Sequence, residues 1–195
     1  MSRIGTLKRL LPIAIEELSS HGELDSCIMA QTVVDGALEQ VGIGDASPLT
    51  VKPKVMNPPL STAFEESGMQ LDEIMDLDWE ERGYAMASFG ESDDPEEGWP
   101  AHLITVIPNT FEDRPAILDL AIVRVNQKGN GFELSPILVG APDGFLEGER
   151  SAKVNVNGCC VLYHAFPEDK SYKETKLWND RDKQKAISDS IVNRM

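Results

Sequence analysis

DSCIMAQTVVDGALEQV, residues 25–41, reads as a helix that begins on a thiol. Asp25 and Ser26 have short oxygen-bearing side chains of the kind that accept from the free N–H groups of a first helical turn, and Gly42 supplies a stop. Ile28, Met29, Ala30, Val33, Val34, Ala37, Leu38 and Val41 are apolar or small around much of the girth, so the helix is expected to lie deep in the molecule. Cys27 falls in its first turn, among unsatisfied N–H groups and at the positive end of the helix dipole, and both favour thiolate over thiol. Cysteine is also one of the most buried residue types, so packing alone is the competing explanation.

On the N-terminal side, Ile4, Leu7, Leu11, Ala14, Ile15 and Leu18 recur at helical spacing and predict an amphipathic helix that tolerates Pro12. On the C-terminal side LTVKPKVMN alternates as a strand, with Pro53 pointing to an edge or a bulge. STAFEE and LDEIMDLDWEER predict two short helices, YAMASF a short strand, and ESDDPEEG an acidic loop without the ordered ligand spacing of a calcium site. From Ala101 the character changes. HLITVI and AILDLAIVRV read as strands joined by the long connection PNTFEDRP, GFELSPILVG as another strand, and AKVNV with CCVLYHAF as a hairpin turned by Asn157-Gly158. A closing helix is expected over residues 180–193. These elements predict one α+β domain over residues 1–195: a helical part over about 1–82 with a buried Cys-bearing helix, packed on a mostly antiparallel β-sheet over about 84–166, then the C-terminal helix.

The charge excludes more than it identifies. With 33 acidic against 18 basic side chains the net charge is −15, a field that repels phosphate backbones and anionic membranes, so neither nucleic acid nor a membrane is an expected partner. It permits a basic partner, and hence a non-catalytic acidic binding or inhibitor protein, for instance a nucleic-acid mimic. Three cysteines without a CxxC pair predict reduced thiols in a cytoplasmic compartment, and LLPIAI is too short and too interrupted to be a leader or a span. No spacing supports a metal site, and no phosphate-binding or dinucleotide fingerprint occurs, so no cofactor is implied. Cys160 and His164 share a strand face but stand about 13 Å apart along it, too far for contact.

His102 opens the first of the β-rich strands and Asp119 lies in the next. Register decides whether they meet. Paired positions summing to 221 put the two directly opposite, a sum of 223 puts them diagonal on one face, and 222 sends them to opposite faces. A carboxylate inside AILDLAIV is expected to be buried and therefore to need a partner. Held by that carboxylate, the imidazole can present its other nitrogen to a nucleophile, which with Cys27 completes the parts of an acyl-transfer site.

The order Cys-bearing helix, His-bearing strand, Asp-bearing strand over residues 25–125 resembles the transglutaminase-like branch of the papain-like cysteine superfamily, which includes arylamine N-acetyltransferases. That resemblance implies Cys27 as nucleophile, His102 as general base and acid, Asp119 as the orienting group, and the Cys27 backbone N–H as one oxyanion donor, with the loop over residues 21–24 the place to look for a second. The expected function is a cysteine-dependent acyl-transfer enzyme, a protease, amidase, deamidase or transglutaminase-like transferase, acting on a protein, peptide or amine substrate. The acidic stretch over residues 90–98 favours a basic one.

Overall fold

Ser2 stands in extended conformation and accepts the Gly5 N–H, which starts helix α1, Arg3–Ser20, in the computed structural model. The structure describes residues 2–67, 73, 78–89, 99–111, 114–142, 144–146 and 150–195. Leu7, Leu10, Ala14 and Leu18 form the buried side of α1, and Pro12 is held inside it. Ser26 starts α2, Cys27–Gln40, by accepting the Met29 N–H at 3.2 Å. Every residue from Cys27 to Val34 is buried, as the near-continuous apolar girth demands. Further helices follow: α3, Pro58–Ser67; α4, Trp79–Arg82; α5, Lys176–Asn179; and α6, Arg181–Arg194. Residues 71–78, apart from 73 and 78, and the acidic loop 90–98 lie outside the described residues, so the expected helix over LDEIMDLDWEER is seen only at its end.

The strands are β1, Ser47–Met56; β2, Met86–Ser88; β3, His102–Phe111; β4, Arg114–Asp119; β5, Ile137–Gly140; β6, Ser151–Val156; and β7, Cys159–Ala165. They form one sheet in the order β5-β4-β3-β1-β7-β6, with β2 also on β1 and every pairing antiparallel. The sheet is nearly barrel-shaped, and the chain is of mixed α+β class. Its two faces build two cores. Leu103, Ile107, Ala116 and Leu118 face α1, α2 and α6, while Val51, Val55, Ile104, Val106, Ile117 and Val161 close the curved sheet upon itself. Burying a Leu or Val side chain completely contributes about 1.5–3 kcal/mol, so these faces fix the register as well as the fold.

Four local expectations are corrected. β1 is central, paired with β3 on one side and β7 on the other; Pro53 falls where the β3 ladder has stopped at Val51 and the β2 ladder has not yet begun at Lys54, and only its carbonyl is used there, accepting the Phe89 N–H. The connection within PNTFEDRP is shorter than expected, since β3 runs on through an irregularity to pair Phe111 with Arg114. AILDLAIVRV is a strand only to Asp119. There the carboxylate accepts the Ile122 N–H at 3.0 Å and turns the chain into a 3₁₀ helix, Ala121–Lys128. GFELSPILVG is a strand only from Ile137, because Asn126 takes both the N–H and the C=O of Leu134 into side-chain hydrogen bonds. The β6–β7 hairpin forms at its expected turn, with Asn157 at φ 51° and Gly158 at φ 81°.

Candidate active site

The β3–β4 register pairs Thr105 with Leu118 and Val106 with Ile117, sums of 223, so Asp119 falls diagonal to His102 on one face. That face is the inner one, shared with Ile104 and Ile117. His102 Nε2 stands 2.9 Å from both oxygens of Asp119, and neither residue is more than 1% exposed. Asp119 is further held by the Ile122 N–H on Oδ1 and by the Tyr163 hydroxyl, which donates to Oδ2 at 2.8 Å. A buried carboxylate accepting this many donors is fixed in place and compensated for its burial.

The other ring nitrogen behaves differently. His102 Nδ1 is buried and has no hydrogen-bond partner among the described residues. Cys27 adjoins the ring without a formed hydrogen bond, and the two shift one another. Burial works against the imidazolium, but the charge and hydrogen bonds of Asp119, with help from Cys27, push His102 up to about 9. Burial also works against the thiolate, yet the His102 ring, then Arg124 and the Leu103 backbone, hold the Cys27 thiol below its ordinary value. With Nε2 held by Asp119, Nδ1 is the ring nitrogen left without a partner beside the thiol.

Cys27 is the first residue of α2, so its own N–H has no carbonyl inside the helix to bond. In the preceding loop, by contrast, the N–H groups of His21, Gly22 and Glu23 are spent on Glu17, Ser19 and Leu18 carbonyls. That leaves little of the expected second oxyanion donor there. Behind the thiol, toward the helices, a cavity of about 10 Å³ lined by Gln31, Leu103, Thr105 and Leu120 holds no more than a water-sized group. Phe89 lies against the His102 ring, centroids 5.2 Å apart, and the Arg124 guanidinium stands 4.0 Å over Phe89.

The structure therefore brings Cys27, His102 and Asp119 together. It adds two residues that sequence reading missed. Tyr163 lies 44 positions from Asp119 and reaches it across the curved sheet; its one signal is that a tyrosine alternating with Cys159 and Val161 on an inward face needs a partner for its hydroxyl. Arg124 was concealed by reading its segment as a strand. Cys160 lies with Met56 and Leu60 in a third, smaller cluster and His164 pairs with Ser151 at 3.1 Å, so neither joins the site. Among the described residues no group of His, Cys, Asp or Glu is placed to hold a metal ion, and no helix is long and apolar enough to cross a membrane. No known protein family, curated protein or solved structure matches the chain.

Proposed function

We propose that the chain is a cysteine-dependent acyl-transfer enzyme, of the kind found in the transglutaminase-like branch of the papain-like superfamily, acting on an amide or thioester. One observation carries the reading: a buried imidazole with one nitrogen held by a carboxylate and the other, otherwise unpartnered, beside a thiol at the start of a helix. In the first half-reaction the Cys27 sulfur bonds to the carbonyl carbon, whose π pair moves onto oxygen near the Cys27 N–H. Collapse breaks the bond to the leaving group, which takes the proton from His102 Nδ1, and a thioester remains. In the second, water or an amine gives a proton to Nδ1 and bonds to the acyl carbon, and the C–S bond breaks to return the thiolate. Asp119 keeps the ring oriented and stabilises its charged form throughout, while Tyr163 and the Ile122 N–H hold Asp119. The three cysteines are free thiols, in keeping with a reducing, cytoplasmic compartment.

Alkylation of the folded protein at a series of pH values tests this. Cys27 is expected to react in preference to Cys159 and Cys160, with a rate that falls off at lower pH than that of an ordinary thiol and drops sharply in His102→Ala and in the gentler His102→Gln. An ordinary thiol instead loses reactivity about tenfold per pH unit below its pKa of about 8.5. That profile at Cys27, or indifference to His102, would overturn the proposal.

A further inference from the structure

Several basic side chains are paired with carboxylates: Arg3 with Asp45, Arg150 with Glu168, Lys153 with Glu65, and Arg194 with Glu16 and Glu17. Arg124 is not among them. Among the described residues it makes no ion pair, although it is half-buried and sits beside an acid. The acid is Asp25, and its carboxylate is taken by Gln127 Nε2 at 2.7 Å, leaving Arg124 only the backbone carbonyl at 3.5 Å. The guanidinium is instead laid on a ring, 4.0 Å over Phe89, whose own ring lies against His102. Its segment is tied down at both ends, by Ile122 to the Asp119 carboxylate and by Gln127 to Asp25, the residue before the cap of α2. A cation has thus been fixed near the thiol with no carboxylate of its own and a single long bond to a backbone carbonyl.

Further basic side chains lie beyond Phe89, one of them, Lys153, already paired with Glu65. That phenyl also lines a cleft of roughly 500 Å³ on the outer face of β1, β7 and β6, which Lys52, Lys54 and Lys153 border. The cavity of about 10 Å³ that Cys27 itself lines admits no acyl group. Phe89 thus borders both the larger cleft and the His102 ring, with Arg124 stacked on it. We infer that the site selects an acyl donor carrying a carboxylate within a few bonds of the reacting carbonyl, and that Arg124 is the residue that recognises it. A planar guanidinium on an aromatic face matches a carboxylate through two parallel N–H···O bonds, and stacking holds it in that geometry before the ligand arrives. Arg124 beside the thiol thus opposes the basic substrate suggested by the acidic stretch at 90–98, which lies outside the described residues. The inference rests on the thiol–imidazole reading of the site.

Two alkylating agents of nearly equal size, iodoacetate and iodoacetamide, differ in the carboxylate and separate the two claims. In the wild-type protein iodoacetate is expected to react with Cys27 faster relative to iodoacetamide than it does with a free thiol. In Arg124→Gln that ratio falls about tenfold, the size of one charge-assisted hydrogen bond, and Arg124→Lys restores part of it. Taking a ratio cancels the general loss of thiolate that removing a neighbouring cation brings. Should the Gln variant not fold, protection of wild-type Cys27 from iodoacetamide by acetate, against a chloride control of the same ionic strength, gives the same answer. An unchanged ratio in Arg124→Gln, or no protection by acetate, with His102-dependent labelling intact, overturns the inference and leaves the site reading standing. A Cys27 that behaves as an ordinary thiol toward both reagents overturns both.

Discussion

Asp119 receives the His102 ring on both oxygens, Tyr163 on one and the Ile122 N–H on the other, and these contacts contribute different things. Its charge is the main reason that His102 keeps a proton against burial. In Asp119→Asn the amide still accepts from Ile122 but no longer offsets the imidazolium, so the pKa of His102 falls from about 9 and that of Cys27 rises. A change of roughly one to three pH units in the alkylation profile of Cys27 is expected, toward the alkaline side, with reactivity at pH 7 lowered about tenfold or more. Tyr163→Phe leaves every charge in place and removes one donor to a buried carboxylate. It should cost about 1–3 kcal/mol of stability, several degrees in Tm, while the alkylation profile holds its position. The opposite pattern, a lost profile in Tyr163→Phe and an intact one in Asp119→Asn, would assign the orienting role to the tyrosine.

Between elements, a close approach sits on α2 itself. Gly36 faces Ser188 of α6 so nearly that a Cβ would stand 2.9 Å from Oγ, and that hydroxyl is committed to the Val33 and Gln184 carbonyls. Gly36→Ala improves intrinsic helix propensity by about 1 kcal/mol, yet it forces a buried, doubly bonded hydroxyl to move. A net fall in Tm is expected, and Ser188→Ala, which removes the obstructing oxygen, should make Gly36→Ala neutral or stabilising in the double variant; additive effects in that cycle would place the constraint elsewhere. The same two helices illustrate what the chain reveals on reading. α2 was legible because its cap, its apolar girth and its stop are all local, and the Asn157-Gly158 hairpin was legible for the same reason. The two strands carrying His102 and Asp119 were legible down to three registers; packing of their alternate faces against different cores selected one. Illegible features depend on side chains that act at a distance or against hydropathy. The Asp119 carboxylate stops an apolar run by bonding three residues ahead, and Tyr163 enters the site only through the β1–β7 pairing.

Across the molecule, ionisation works against compactness in two separable ways. As pH rises from 5 to 7 the carboxylates complete a net charge of −15, whose exposed part repels itself and is screened by salt. Asp35 adds a second effect. It points from α2 toward β3, where Gln31 donates to Oδ1 at 2.8 Å and Thr105 at 3.2 Å, but burial outweighs these bonds and pushes its carboxyl up to about 6 from an ordinary 3.8. A carboxyl raised in the folded state keeps its proton while the unfolded chain has lost its own. The stability it confers is therefore whole below the unfolded pKa and is lost as pH rises through about 6. Between pH 5 and 7 the loss from this group is on the order of 1 kcal/mol, about 2–4 °C in Tm for a chain of this size. Salt cannot restore it, because its origin is burial and not repulsion between exposed charges. Asp35→Asn can, since both hydrogen bonds end on Oδ1, the oxygen that an asparagine retains. Thermal melts of the two proteins at high salt are expected to agree only near or below pH 4, to be separated already at pH 5 and further apart at pH 7, with the variant the more stable. The difference between them cancels every other titrating group, the Cys27–His102 pair included. Equal melting temperatures at pH 7 would mean that Asp35 is hydrated in solution and that the contact between α2 and β3 is more open than it stands here.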